Sequence, residues 1–472
     1  MNLKSSLQFF SIVLACIGIS CQAQEHQVDI VKLETQLDSL MNTRMQEEHI
    51  PGAAFIIVKD GKTLLKKGYG YTSLGEEIRR VDPDSTIFRI GSVTKTFTAT
   101  ALLQLVDQQK VDLHTDVNQY LTTIKVPETY KNPVTPAHLI NHSAGFDELR
   151  GRVVYQESQS IPLGDFLSNR LVRIREPGII SSYSSYGIAL AGLLVENVSG
   201  QRLDAFMKET IWEPLGMNMT SMFLNDQVET YASWGYEYRN GINVPQPWEY
   251  YHTYPASEIN STVTDMGKYL NMHLSSGVWN NKRILSDELA QQMKQPQLRI
   301  HPEVEAFAYG FYEEDAQGFR TISHGGDMLG YASYMAMVPE EQLGIFIIHH
   351  HEGTRLRYAV MDLVLSAFAK ANTETPQPTP TTPITSDLSR FAGHYMWTTH
   401  CHTCETGWKP DREELIVNND TTFTIMNRTY TQVAPLLFKS TDGARTMGFV
   451  ENKEGEIIYM CTGGNNMFEK VK

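Results

Sequence analysis

In the stretch RIGSVTKTFTAT, residues 89–100, a serine follows a glycine and a lysine stands three residues further on. If an apolar helix starts there, Ser92 and Lys95 emerge on one face, one turn apart. The start of a helix offers free N–H groups and a field that favours negative charge. A lysine desolvated in a pocket can shed its proton near neutral pH and act as a base toward a hydroxyl. The Ser92 N–H could also donate to an oxyanion. A serine cap followed by a solvated lysine would look the same, and Ser-x-x-Lys arises by chance about once or twice in such a chain. The motif needs company.

Company stands at two places. EPGIISSYSSYGIALAGLLVENVSG sets Tyr183-Ser184-Ser185 just before an apolar helix, and ISHGGDMLGYASYMAMV sets His324-Gly325-Gly326 on or beside a strand. With these residues the chain resembles the class C β-lactamase and penicillin-binding-protein family of serine hydrolases, which includes DD-peptidases, D-aminopeptidases and esterases. That family shows Ser-x-x-Lys, then Tyr-x-Asn, then Lys-Thr-Gly or His-x-Gly, in this order. The stretches IPGAAFIIVKDG, HLINHSAGF and NSTVTDMGKYL agree, and the resemblance covers roughly residues 30–370.

The resemblance implies Ser92 as nucleophile, Lys95 as base or proton shuttle and Tyr183 as the second proton-transfer group. His324 would stand where other members use lysine, binding a substrate carboxylate or tuning Tyr183. Gly325 and Gly326 would let a substrate backbone approach the strand edge. The Asp327 N–H would pair with that of Ser92 as the oxyanion hole. Ser185 departs from the pattern: its hydroxyl is shorter and less exacting than the asparagine amide it replaces. That departure weakens the expected grip on a penicillin side chain or an acyl-D-Ala-D-Ala peptide, and His324 in place of lysine leans further from a dedicated β-lactamase toward a peptidase or esterase. β-Lactam hydrolysis is the runner-up, and a non-catalytic peptidoglycan or β-lactam binder is the alternative of another class. The substrate is a small molecule or peptide, and the chemistry calls for no cofactor.

These residues need a scaffold. AAFIIVKDGKTLLKKGYG reads as a hairpin turning at Asp60-Gly61. A helix follows Ser92, with Phe97, Ala101, Leu102, Leu105 and Val106 on roughly one side. Residues 115–300 suggest a mainly helical lobe. Strands return at 331–338 and 343–350, then a helix near 355–370. Strands at both ends imply one sheet built from N- and C-terminal segments, an α+β plan; the resemblance makes it a β-lactamase/transpeptidase-like fold over residues 28–370. The Pro/Thr-rich segment 371–387 reads as an extended linker across which few contacts pass. Residues 388–472 read as a small all-β barrel domain, which resembles the lipocalin-like appendage of some members.

With 472 residues and a formal charge of −14, the chain lacks the basic stripe that nucleic acid would need. Residues 1–23 carry one lysine, an apolar run and small residues, a signal-peptide pattern of an exported, periplasmic or outer-surface protein. Cleavage after Ala23 would release a soluble protein, whereas cleavage before Cys21 would leave a cysteine able to carry a lipid anchor. No later stretch is apolar enough for a transmembrane span. Near the C-terminus, HCHTC supplies His400, Cys401, His402 and Cys404. A local disulfide, free thiols or pairing with Cys461 is the blander account in an exported protein, and a metal site the less favoured one.

Overall fold

The structure, a computed structural model, describes residues 28–75, 78–353, 355–369, 387–405, 410–443, 445–463 and 466–472. The leader with Cys16 and Cys21, and the linker apart from Asp387, lie outside the described residues. Helix α1 (Ile30–Glu47) comes first, and the sequence reading missed it. Its signal was present: Asp29 caps it by accepting from the Lys32 N–H at 3.0 Å, and Leu33, Leu37 and Met41 repeat every four residues on the buried face.

The expected hairpin follows as β1 (Gly52–Lys59) and β2 (Lys62–Gly70). Helix α2 (Thr94–Asp107) carries Lys95, and the turn Gly91–Val93 ahead of it carries Ser92. Within the helical lobe, α3 (Ser185–Ser199) and α4 (Val263–Leu274) are the long members. The chain then returns through β3 (Tyr312–Ala316), β4 (Phe319–Met328), β5 (Tyr331–Val338), β6 (Leu343–His349) and α5 (Leu356–Phe368).

These strands form one antiparallel sheet in the order β3-β4-β5-β6-β1-β2, so the first and last parts of the lobe are stitched together at β1 and β6. Strand β1 is buried on both faces. Ala54, Ile56 and Val58 join the core shared with the helical lobe, while Ala53, Phe55 and Ile57 pack under α1 and α5. One edge detail matters for the site. Pairing of β3 with β4 ends at Tyr312↔Ser323, so His324–Met328 pair with β5 alone and present their other edge to the Ser92 turn.

The C-terminal part is a closed barrel of eight antiparallel strands, from β7 (Gly393–Trp397) and β8 (Arg412–Val417) round to β14 (Met467–Val471). Pairing of His394 with Val471 through Trp397 with Phe468 closes it. Contacts between the barrel and the N-terminal lobe are not few. Ile180 and Val304 pack with Leu437, Cys461 and Met467, and Arg175 pairs with Glu469 at 3.1 Å. Linker composition says how the chain travels, not what the joined pieces then bury.

Candidate active site

A single turn positions the serine. Gly91 has φ +57, which an L side chain rarely adopts, and a Cβ there would stand 3.1 Å from the Asp327 nitrogen. The glycine thus lets the β4 edge close on the Ser92 turn, where the N–H groups of Ser92 and Asp327 are expected to work together. Gly326 serves the same closure: a Cβ on it would fall 2.1 Å from the Ile90 carbonyl oxygen. Its smallness is already required by the protein's own backbone, a packing reason that the sequence reading did not give. Gly325 has no such conflict, its nearest neighbour being Tyr334 at 3.7 Å. Arg357 of α5 braces the strand from behind, donating to Gly326 O at 3.1 Å, Ser333 O at 3.0 Å and the Asp327 carboxylate at 3.0 Å.

Lys95 has no exposed surface. Its Nζ lies 3.0 Å from Ser92 Oγ, donates to Ala256 O at 2.9 Å and sits 4.8 Å above the centre of the Tyr183 ring. Among the described residues no carboxylate forms an ion pair with it. Burial first, then the Arg152 charge, pull its pKa down to about 7, against a weaker upward pull from Glu148. Ser92 and Tyr183 keep part of their surface open. Burial holds the Tyr183 hydroxyl above the usual phenol range, offset in part by hydrogen bonding with Ser92 and Tyr312.

His324 is placed beside these groups but not as a cation. It is 0 % exposed, and burial together with the Lys95 charge lowers its pKa to about 3. Its Nδ1–H donates to Gly325 O at 2.6 Å, which leaves Nε2 as an acceptor. A neutral, buried imidazole has no charge for a substrate carboxylate, so that role does not fit; contact with the tyrosines does. The ring stacks on Tyr312 at 4.4 Å and lies 6.0 Å from Tyr183. Ser185 opens α3 and is 6 % exposed, behind the Ser184 cap that accepts from the Gly187 N–H at 3.0 Å.

The sequence reading missed four neighbours. Tyr312 bridges His324 and Tyr183, and no motif marked it. His142 packs 4.7 Å from the Tyr183 ring and accepts from the Ser184 N–H at 3.0 Å, so its proton sits on Nε2. It holds φ +61, an uncommon conformation that tends to persist where surroundings over-determine it. Glu148 and Arg152 pair at 2.9 Å, with the Tyr186 N–H donating to Glu148 at 3.4 Å. His142 lies inside HLINHSAGF and Glu148 a few residues beyond, so the stretch was noticed but not its reach.

In the HCHTC stretch, Cys401 and Cys404 form a disulfide, which removes both from any ligand set, and Cys461 is a buried free thiol. His400, His402 and Glu469 lie close enough together to hold an ion. Arg175 already occupies that ground, 2.8 Å from His402 Nε2 and 3.1 Å from Glu469. A buried guanidinium supplies the positive charge a metal would bring.

The model of the beta-lactamase family matches residues 37–367. Protein flp of Staphylococcus aureus strain MRSA252 is 24% identical over 337 residues, 67% of this chain and 62% of its own length. The chain therefore spans about six-tenths of the length of that relative. Penicillin-binding protein 4 of Amycolatopsis lactamdurans is 28% identical over 312 residues, 62% of this chain and 79% of its own. Among solved structures, the octameric penicillin-binding protein homologue from Pyrococcus abyssi shares the fold over 93% of this chain and 100% of its own, at TM-score 0.61 and 23% identity. A class C beta lactamase does so over 72% of this chain and 99% of its own, at TM-score 0.61 and 18% identity. The chain belongs to the beta-lactamase family.

Proposed function

We propose that this chain is an exported serine acyl hydrolase that opens an amide or ester through a covalent acyl-enzyme on Ser92. One observation carries the reading: a fully buried Lys95 holds its Nζ 3.0 Å from Ser92 Oγ, with a pKa near 7. In its neutral form the amine takes the Ser92 proton as Oγ attacks the substrate carbonyl. The oxyanion accepts from the N–H groups of Ser92 and Asp327. Tyr183, between Ser92 and Tyr312, passes its proton to the leaving group and regains one from the Lys95 ammonium; water then attacks the acyl carbon, giving a proton to Lys95, which returns it to Ser92 Oγ as the acyl group departs. Neutral His324 keeps the hydroxyl network of Tyr312 and Tyr183 in place.

The substrate class that fits best is a D-amino-acid-containing peptide or a small ester. A β-lactam, or a D-peptide that sets a carboxylate against the third motif, gains less here, because that motif offers a neutral imidazole where other members have a lysine. The Cys401–Cys404 disulfide supports an oxidising compartment outside the cytoplasm. Labelling with a fluorophosphonate and with a fluorescent penicillin tests the nucleophile. Wild type is expected to label and to turn over an activated ester, and Ser92→Ala to lose labelling and about 10⁴-fold or more in kcat. Near wild-type turnover in a folded Ser92→Ala protein would sink the acyl-enzyme.

A further inference from the structure

The acyl-enzyme chemistry leaves the HCHTC stretch unused, yet the fold carries it to the wall of the site. Asp147 of the hydrolase lobe is 0 % exposed, and among the described residues no cation pairs with it. The barrel fills its oxygens instead. The His402 N–H donates at 2.8 Å, the Thr403 N–H at 3.0 Å and the Thr403 hydroxyl at 2.7 Å. The Cys401–Cys404 disulfide closes this turn, and the Cys404 N–H lies 3.1 Å from Cys401 Sγ, so the donors converge on one carboxylate.

Both sides of this anchor lead to the reacting groups. The residue after Asp147 is Glu148, which holds Arg152, and the charges of this pair reach Lys95 and Tyr183. Next to it, Ser182 donates to the Thr398 hydroxyl at 2.9 Å and Thr399 donates to the Tyr183 carbonyl at 3.4 Å. A buried carboxylate without a cation depends on every donor it has. If the turn loosens, water must replace those donors or the segment must move outward. Either way Glu148 and Arg152 lose their fixed distance from Lys95.

We propose that the disulfide-closed turn 398–405 of the barrel is a positioning element of the hydrolase site. It holds, through Asp147, the segment carrying Glu148 and Arg152, and through Thr398 and Thr399 the backbone around Tyr183. The inference rests on the acyl-enzyme reading of Ser92. Asp147 and the turn are positioning residues; they touch no reacting atom. Arg152 pulls harder on Lys95 than Glu148 does, and burial pulls the same way, so a loosened segment lets the lysine hold its proton to higher pH.

The test compares full-length wild type with the Cys401→Ser, Cys404→Ser double variant, and with Thr403→Val as a milder change that removes one bond. Wild type treated with dithiothreitol is a third arm; the other described cysteine, Cys461, is already a buried thiol. Two quantities are read: the pH profile of kcat/KM on a neutral ester, and amide hydrogen exchange of residues 143–152 and 181–184. In the double variant the acid limb is expected to move up by about one pH unit, costing about ten-fold in rate on that limb, with faster exchange in both segments. Thr403→Val shifts both the same way by less. A lower melting temperature or fewer active sites with the limb unmoved means a scaffold contact only, and overturns the proposal. So does unchanged exchange in a reduced or substituted turn. Wild type that fails to label with a fluorophosphonate sinks the acyl-enzyme separately, and the exchange comparison still judges the turn.

Discussion

Among the described residues of the N-terminal lobe two lysines are buried, and one of the two faces a hydroxyl. Lys95 is 0 % exposed and Lys294 is 7 % exposed. Burial is the first cause of a lowered pKa in both, to about 7 for Lys95 and about 8 for Lys294. Lys294 Nζ donates to His273 O at 2.8 Å and to Ala290 O at 2.7 Å, so its hydrogen bonds run to carbonyls that have no proton to give. Lys95 spends one hydrogen bond on Ala256 O and turns toward Ser92 Oγ, which does have one. Desolvation makes a lysine able to act as a base; on the proposed reading, the Ser92 hydroxyl in reach gives it a proton to take. The difference lies in one neighbour rather than in the lysine itself.

Replacing each lysine should separate the two most sharply. Lys95→Ala leaves Ser92 without a proton acceptor and is expected to cost about 10³-fold or more in kcat/KM on an activated ester. Lys294→Met should leave kcat/KM within about two-fold, since nothing it touches reaches the substrate. Steady-state kinetics on folded, fluorophosphonate-titrated enzyme decides. A Lys95→Ala protein that retains tenth-scale activity, or a Lys294→Met protein that loses as much as Lys95→Ala, would erase the contrast.

Sequence carried the Lys95 side of this comparison and little of the Lys294 side. Ser-x-x-Lys, Tyr183 and His324 were legible because short motifs repeat in order, and the sheet was legible because β5 and β6 are apolar runs between turns. What escaped depended on distant parts of the chain meeting. Lys294 looks like any surface lysine until α4 and its neighbours cover it. Tyr312 acquires meaning only when the β3–β4 pairing ends at Tyr312 opposite Ser323 and leaves its ring against His324. Asp147 carries no motif signal, and the donors to its carboxylate lie more than 250 positions away, in a domain whose linker composition argued for independence. The charge state of His324 also escaped, because a motif names the residue type but not the burial that keeps it neutral.

The neutral state of His324 assigns ownership of the pH profile. If the acid limb belongs to Lys95, activity rises as pH rises through about 7, because only the unprotonated amine accepts the Ser92 proton. Well below that pH, kcat/KM is expected to fall about ten-fold per unit. The limb should stand at the same pH for a neutral ester and for a D-peptide bearing a carboxylate, since no imidazolium forms to distinguish them. His324→Gln should lower the rate yet leave the limb where it was. A limb that appears only with the carboxylate substrate, or that vanishes in His324→Gln, would return the charge to His324.

The smallest expected effect concerns stability, and it tests whether Lys294 is as buried as Lys95 without being useful. Its folded pKa is about 8, and its ordinary value is 10.5. Below about pH 8 both folded and unfolded chains carry the proton, so the cost of burying the charge is constant. Between about 8 and 10.5 the unfolded chain binds the proton and the folded chain does not, so folding stability rises with pH over that window. Lys294→Met removes this group while Lys95 and every other titrating group stay in both proteins. The wild-type melting temperature should therefore gain on that of the variant between pH 7.5 and pH 9.5, by about 2 °C in a domain of this size. Met leaves His273 O and Ala290 O without their donor, which lowers the variant by a similar amount at every pH and does not affect the slope. Parallel melting curves across that range would show that Lys294 keeps its proton, and that the hydroxyl neighbour of Lys95 is not the only difference between the two.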